Sequence, residues 1–372
     1  MLLFQNRPVR IAIVGAGVIG CAVAYELASR GANVTVIDDR GRGQGATRAS
    51  AGVLAPYIEG HSDDLLRLGV ASLRQYDGFI ARVAGDAARP IEYRRSGTLQ
   101  VARNRDEANE LRQRAALLAA GRVQHALLSG EEIPGIESSL APLTAALLIP
   151  DHGYVGVATL VRGLADSASK RGVVFVTSRV REITSGVGSA LRVETPSEPL
   201  EADVVVIAAG SWSATIPVTP VAPPPVHPIR GQLLHLRFPA PPLSHVIWGT
   251  GAYLVPWSDG SVLVGATMED AGFDESVTVP AVRYLLDGAT ELLPSAASAV
   301  FHEARAGLRP RTSDELPIIG ASSTMRGVFY ATGHFRNGVL LAPLTATMLA
   351  DLILDGRACD ELALVRPSRF GL

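Results

Sequence analysis

An apolar segment, Arg10-Ile-Ala-Ile-Val14, runs directly into Gly15-Ala-Gly17-Val18-Ile19-Gly20 and then into an amphipathic stretch reaching Arg30. This order constrains the fold more than any other feature: buried strand, tight turn, helix. Gly15 allows the turn, Gly17 lets backbone approach a pyrophosphate, and Gly20 permits close packing of the helix on its sheet. The free N–H groups at the helix start, around Val18 and Ile19, carry the positive end of its dipole and suit a phosphate. Gly31 stops the helix, Asn33-Val-Thr-Val-Ile37 reads as a second strand, and Asp38 and Asp39 follow at its C-terminal end. A carboxylate at Asp38 is placed to accept hydrogen bonds from ribose hydroxyls. The competing reading is a structural glycine turn in some other α/β protein.

The fingerprint alone does not separate NAD from FAD, so the remainder of the chain has to. Arg40 to Leu54 is rich in Gly, Ala, Ser and Thr, and reads as a phosphate- and ring-contacting loop rather than a third regular βα unit. A helix is expected from about Asp63 to Ala84, an antiparallel strand from Arg89 to Val101, and a helix from Arg105 to Ala120. Further strands are expected at Val173–Val180, Ala190–Thr195 and Ala202–Ala209, the last ending in Ala209-Gly210-Ser-Trp212. Six prolines in the twelve residues from Pro217 to Pro228 predict a stiff crossing between two domains. Beyond it lie strands at Gln232–Phe238, Ala252–Pro256 and Ser261–Gly265, with Asp259-Gly260 as a hairpin turn. A strand at Val328–Ala331 and the turn Gly333-His-Phe-Arg-Asn-Gly338 then open a helix over about Leu341–Leu354. Two glycine-rich helix starts, one at each end of the chain, suggest one for a pyrophosphate and one for the far end of the same ligand.

The 372 residues predict two or three domains, and 34 basic against 36 acidic side chains give a charge of -2, which argues against a nucleic-acid partner. The longest apolar stretches, such as Val204 to Gly210, read as strand-length and too short to span a membrane. The first ten residues do not read as a secretory signal, so a cytoplasmic location is expected. Cys21 and Cys359 make neither a disulfide framework nor a zinc site, and no metal site is expected. Lys170 is the single lysine, so a Schiff-base cofactor would have to rest on it.

Nine blocks stand in a fixed order: Gly15 to Gly20, Ser50-Ala51-Gly52-Val-Leu54, Ala208 to Trp212, Pro228 to Gln232, Tyr253 to Pro256, Val264 to Met268, Ala306 to Pro310, Leu316 to Gly320 and Gly333 to Pro343. In these blocks the chain resembles the glycine oxidase and D-amino acid oxidase family of FAD-dependent amine oxidases, most nearly its glycine oxidase branch, over essentially its whole length. The resemblance implies an α/β fold with α+β elements: a Rossmann-like FAD-binding domain (1–85, 145–220 and 305–372) and an antiparallel-sheet substrate domain (86–144 and 221–304). It implies that Arg309 pairs with the substrate carboxylate, where a planar guanidinium offers two parallel donors. Tyr253, Met268 and Arg336 are implied to border the same pocket, and His334 is expected to be structural. FAD, bound without a covalent link, is implied to contact Gly15, Gly17, Val18, Ile19, Gly20, Asp38, Asp39, Thr47, Ser50, Ala51, Gly52, Leu54, Val180, Ala209, Gly210 and Trp212. Arg309, Arg336, Asn337, Gly338, Val339 and Leu340 complete the implied cofactor contacts. A small amino acid and molecular oxygen are the implied reactants, with imine and hydrogen peroxide as products, and a homo-oligomer is compatible with this.

Three positions depart from the family pattern. Trp257 stands where a basic residue is usual, Arg305 where Trp is usual, and Gly156-Val157 where an acid-proline pair is usual. If the first two border the pocket, its rim is more apolar, which favours an oxidase of N-substituted glycines as the alternative, sarcosine-like or N-carboxymethyl. An NAD-linked dehydrogenase and a non-catalytic FAD-binding subunit remain as readings from other classes.

Overall fold

The computed structural model describes residues 9–59, 62–188 and 190–372. β1 (Arg10–Val14), α1 (Val18–Ser29) and β2 (Asn33–Asp38) form where the glycine pattern puts them, and β1 pairs with β2 in parallel, Ile11 opposite Val34. They seed a six-stranded sheet in the order Ile318–Ala321, Val328–Thr332, Val204–Ile207, β1, β2, Val174–Thr177. Every neighbouring pair is parallel except the first. Strand alternation sends Ile11 and Ile13 to one face, against α1 and the helices Val157–Lys170 and Gly338–Ala350. Ala12 and Val14 go to the other, against the small antiparallel sheet Glu182–Ser185, Leu191–Glu194 and Leu200–Ala202.

α1 is not amphipathic as expected: Val18 through Ala28 are all buried, because the sheet covers one side and two helices cover the rest. A helix enclosed in this way needs no polar face.

The second large sheet has eight strands, ordered Val300–Arg311, His227–Arg237, Ser261–Gly265, Tyr253–Pro256, Val246–Trp248, Thr98–Ala102, Ala145–Ile149, Ala126–Ser129. All its pairs are antiparallel except Val246–Trp248 with Thr98–Ala102. Its faces are covered by the helices Val279–Leu292 and Arg105–Ala120.

Several expected elements are divided. The helix over Asp63–Ala84 is two helices, Asp63–Leu73 and Tyr76–Ala87. The strand over Arg89–Val101 is two strands, Tyr93–Arg94 and Thr98–Ala102, separated at Gly97, whose φ is +83°. The strand over Ala202–Ala209 is also two, split at Asp203, whose carboxylate is held by Arg10. The proline-rich crossing ends earlier than its composition suggests, since His227 and Pro228 already belong to the long strand. Ala145–Ile149 lies in the eight-stranded sheet, and the strand Val300–Arg311 runs continuously through residues 304 and 305.

The expectation that no apolar stretch reaches membrane-spanning length also needs correction. Gly338–Asp355 is 18 residues with mean hydropathy 1.6, enough by length and composition, but 61% of it is buried within the molecule. It is a core helix packed on α1, and its last turn, Asp351–Asp355, is π-helical.

Candidate active site

The turn after β1 fixes one end of the site. Gly15 has φ +110°, and a Cβ there would stand 2.4 Å from the Ala208 carbonyl oxygen, so only glycine brings β1 this close to the strand beside it. α1 begins at Val18 with no side-chain cap, and the Val18 N–H donates to Thr47 Oγ1 at 3.0 Å, tying the loop after β2 to the helix start. Asp38 accepts from the Ala16 N–H at 2.7 Å through Oδ2, and from the N–H groups of Arg40 and Gly41 at 2.7 and 2.9 Å through Oδ1. A carboxylate offers about four lone-pair sites, so Oδ2 retains capacity for one more donor, such as a ribose hydroxyl.

From this point a single cavity of about 1160 Å³ runs between the two large sheets. Beside the turn it is lined by Gly15, Gly17, Val18, Ile19, Asp38, Asp39, Thr47, Ser50, Ala51, Gly52, Val180, Ala209, Gly210 and Trp212, and by Asn337, Gly338 and Val339 at the second helix start. Its far end is lined by Tyr253, Met268, Arg309 and Arg336. Three of the expected contacts do not reach it. Gly20 instead lets α1 lie on the turn, where a Cβ would stand 1.9 Å from the Gly15 carbonyl oxygen. Leu54 and Leu340 point into the core.

At the far end, Arg309 comes from the long strand Val300–Arg311 and is half-buried. Its Nη1 donates to the Thr267 carbonyl at 2.9 Å, and among the described residues its guanidinium forms no ion pair. Burial pulls its pKa down, though a guanidinium keeps its charge. Gly231 on the neighbouring strand makes room for it, since a Cβ there would fall 2.2 Å from the guanidinium. Tyr253 stacks on Trp248 with centroids 4.9 Å apart, and burial pushes its hydroxyl up to about 12, so the phenol stays protonated. Gly265 faces the Tyr253 ring, and a Cβ at that position would lie 2.4 Å from it. Arg336 pairs through Nε with Glu59 Oε2 at 3.2 Å. Burial raises the Glu59 carboxyl, while Arg336 and Arg309 draw it back down. Met268 is at the mouth and 64% exposed. His334 is buried, bonded to Thr345 Oγ1 at 3.0 Å, and held neutral by burial, with its pKa at about 3.

Glu59, Trp248, Thr267 and Tyr284 line the cavity without having been expected there. Nothing in the local sequence marks Glu59 or Tyr284. Trp248 sits on a three-residue strand too short for a periodicity signal. The departures Trp257 and Arg305 lie elsewhere, in a second cleft of about 440 Å³ bordered by the loop of residues 42–50 and the helix Val157–Lys170. They therefore do not shape the rim of the main cavity.

The elongated cavity, the glycine turn that a Cβ would obstruct, the two helix starts and the spare capacity of Asp38 fit an extended dinucleotide. Chemically, the far end can hold one carboxylate on Arg309 beside a protonated phenol and the Arg336–Glu59 pair.

Comparison with known proteins agrees with this geometry. The sequence profile of the FAD dependent oxidoreductase family matches residues 10–352. Glycine oxidase of Geobacillus kaustophilus is 33% identical, with 95% of each chain covered. A crystal structure of glycine oxidase from that organism superimposes with a TM-score of 0.90 at 31% identity, covering 96% of this chain and 98% of that one. An iminodiacetate oxidase from a Chelativorans species gives 0.87 at 27% identity, covering 96% and 99%.

Proposed function

The chain belongs to the family of FAD-dependent oxidoreductases, and we propose that it oxidises glycine or a closely related small amino acid with one carboxylate. It is an FAD-dependent enzyme acting on amines, so the NAD-linked and non-catalytic readings fall away. FAD held along the glycine turn and the second helix start would supply the acceptor for a hydride from the substrate α-carbon, with oxygen as the final oxidant giving hydrogen peroxide.

The observation that carries the substrate reading is Arg309, a half-buried guanidinium at the end of the cavity with no ion pair among the described residues. A substrate carboxylate supplies the missing anion, and the two form charge-assisted hydrogen bonds. Arg336 stands 3.2 Å from Glu59, whereas Arg309 has no anionic partner among the described residues, which supports one substrate carboxylate at Arg309. Tyr253, as a neutral phenol, donates to the same carboxylate, and Trp248 holds its ring in place. The protein's contribution is orientation, which aligns the C–H bond with its acceptor and excludes water. The imine then leaves to hydrolyse.

A second reading is an oxidase of N-alkyl glycines. The likeness to an iminodiacetate oxidase supports it.

The remaining site assignments above, the two-domain division and a non-covalent FAD belong to the same proposal. Residues 306–309 contain no cysteine, and Cys21 is fully buried in α1 outside the cavity. A cytoplasmic location is included on the strength of two free thiols, Cys21 and Cys359, and cell fractionation tests it. Acid precipitation of the purified enzyme is expected to leave a colourless pellet and a yellow supernatant. The deciding experiment is a peroxide-coupled assay on glycine, sarcosine and longer N-alkyl glycines. Activity that is highest on glycine supports the first reading. A rise in kcat/KM with chain length, toward the roughly 0.8 kcal/mol expected for each buried methylene, replaces it with the second. No turnover of any member sinks both.

A further inference from the structure

Away from the cavity, the two longest strands meet at an irregularity. His235 of the strand His227–Arg237 lies opposite Glu303 of the strand Val300–Arg311, and the next pair is Leu236 with Phe301, so His302 is an extra, bulged residue. In a regular strand His302 and Glu303 would point to opposite faces. The bulge breaks that alternation and re-aims a side chain, and here both side chains approach His235. His302 Nε2 lies 4.0 Å and His235 Nδ1 3.7 Å from the same oxygen, Glu303 Oε1. The three candidate ligand atoms all fall within 4.8 Å of one another. The two imidazoles meet edge to face, with centroids 4.9 Å apart.

His235 supplies the second, independent observation. Its side chain is 5% exposed, yet among the described residues neither ring nitrogen has a hydrogen-bond partner. Burying polar atoms without a partner is costly, and native proteins satisfy nearly all of them. At His302 the Arg237 guanidinium stands 3.4 Å from Nε2, a geometry in which that nitrogen presents a lone pair.

We propose that His235, His302 and Glu303 form a binding site for a divalent transition-metal ion. Two imidazoles and one carboxylate are a common set for Zn²⁺, with the fourth position open to water. Tetrahedral bonds of about 2.1 Å place neighbouring ligand atoms about 3.4 Å apart, so closing the site needs shifts well under the length of a side chain. Two cations must adapt. Arg237 is exposed and free to turn toward solvent. Arg305 now holds Glu303 Oε1 and also donates to the Arg48 carbonyl, and it can move to the second carboxylate oxygen, where it orients the ligand from outside the coordination sphere. His302, whose side chain is 38% exposed, gives the ion a route from solvent. The sequence conceals this site, because its residues come from two strands far apart in the chain and the bulge has no motif.

The test is calorimetric titration of Zn²⁺ into the tag-free, FAD-loaded enzyme, alongside H302A and E303Q. Neither substituted residue lines the main cavity, so amino acid oxidation should be unchanged in both. One Zn²⁺ per chain is expected, and each variant should bind at least about tenfold more weakly, since removing one ligand or its support typically costs that much. Thermal stability should rise with Zn²⁺ in the wild type only, because the ion binds the folded state. The proposal is overturned if the wild type shows no binding tighter than about 100 μM. It is also overturned if both variants bind as tightly as the wild type.

Discussion

At the scale of single residues, the site depends as much on where side chains are missing as on where they stand. Arg309 extends toward the cavity because Gly231 leaves the space beside it open, and a methyl group at Gly231 would stand 2.2 Å from the guanidinium carbon and from each of its two terminal nitrogens. The obstruction is the far end of a flexible side chain, so a Gly231→Ala substitution should displace Arg309 rather than the strand. We expect G231A to bind FAD with a normal spectrum and to melt near the wild type, while kcat/KM for glycine falls by at least about tenfold. The loss follows from one charged hydrogen bond, worth about 1.5–3 kcal/mol. An unchanged kcat/KM would remove Arg309 from carboxylate binding. The sequence identified Arg309 through its block, but it could not place Arg305. The two residues share a face of one strand, four positions apart, and at about 3.3 Å per residue that puts Arg305 about 13 Å away, in the second cleft. Proximity in sequence to a functional block did not translate into proximity to the cavity.

At the scale of elements, what was legible followed from local rules. Glycine chemistry gave β1 to the residue and the ends of α1 and β2 to within one residue, and strand patterning gave Ser261–Gly265 to the residue and Tyr253–Pro256 with one residue too many at its start. The short strands Val246–Trp248 and Ala126–Ser129 escaped because three or four residues carry too little periodicity, and they become strands only by pairing with distant neighbours. The contact of α1 with its turn yields a prediction. A Cβ on Gly20 would stand 1.9 Å from the Gly15 carbonyl oxygen, where backbone meets backbone and neither can yield cheaply. G20A should lose more than about 2 kcal/mol of stability, within the range for overpacking a core, and should retain less FAD. Gly78, inside the helix Tyr76–Ala87, is the control, because nothing lies within 4 Å of its added methyl. G78A should gain about 0.5–1 kcal/mol. Thermal melts of the two proteins with their FAD content check both signs, and equal effects would mean that the turn does not control packing.

For the whole molecule, two buried histidines make stability depend on pH in a direction that can be worked out. His152 is fully buried, lies 2.7 Å from Thr98 Oγ1 through Nδ1, and stacks on Tyr57, while His334 is buried beside Thr345. Burial lowers both pKa values to about 3, against about 6.5 for an exposed imidazole. Both rings are therefore neutral in the folded protein down to about pH 3, whereas the unfolded chain takes up two protons as pH falls through 6.5. The stability gained by keeping them neutral is complete above that value and is lost progressively below it. The slope approaches about 1.4 kcal/mol per pH unit for each histidine. Glu303, held by Arg305 at about 2, adds a loss of the same sign below about pH 4.5. Denaturant unfolding at fixed excess FAD should give a flat free energy from pH 8 to 7 and a decline of about 2–3 kcal/mol per unit between pH 5.5 and 4.5. Replacing His334 with Gln, which can still bond Thr345, should remove about half of that slope. An unaltered slope in the variant would mean that His334 is already protonated in the folded state and that its burial does not govern the acid limit of this fold.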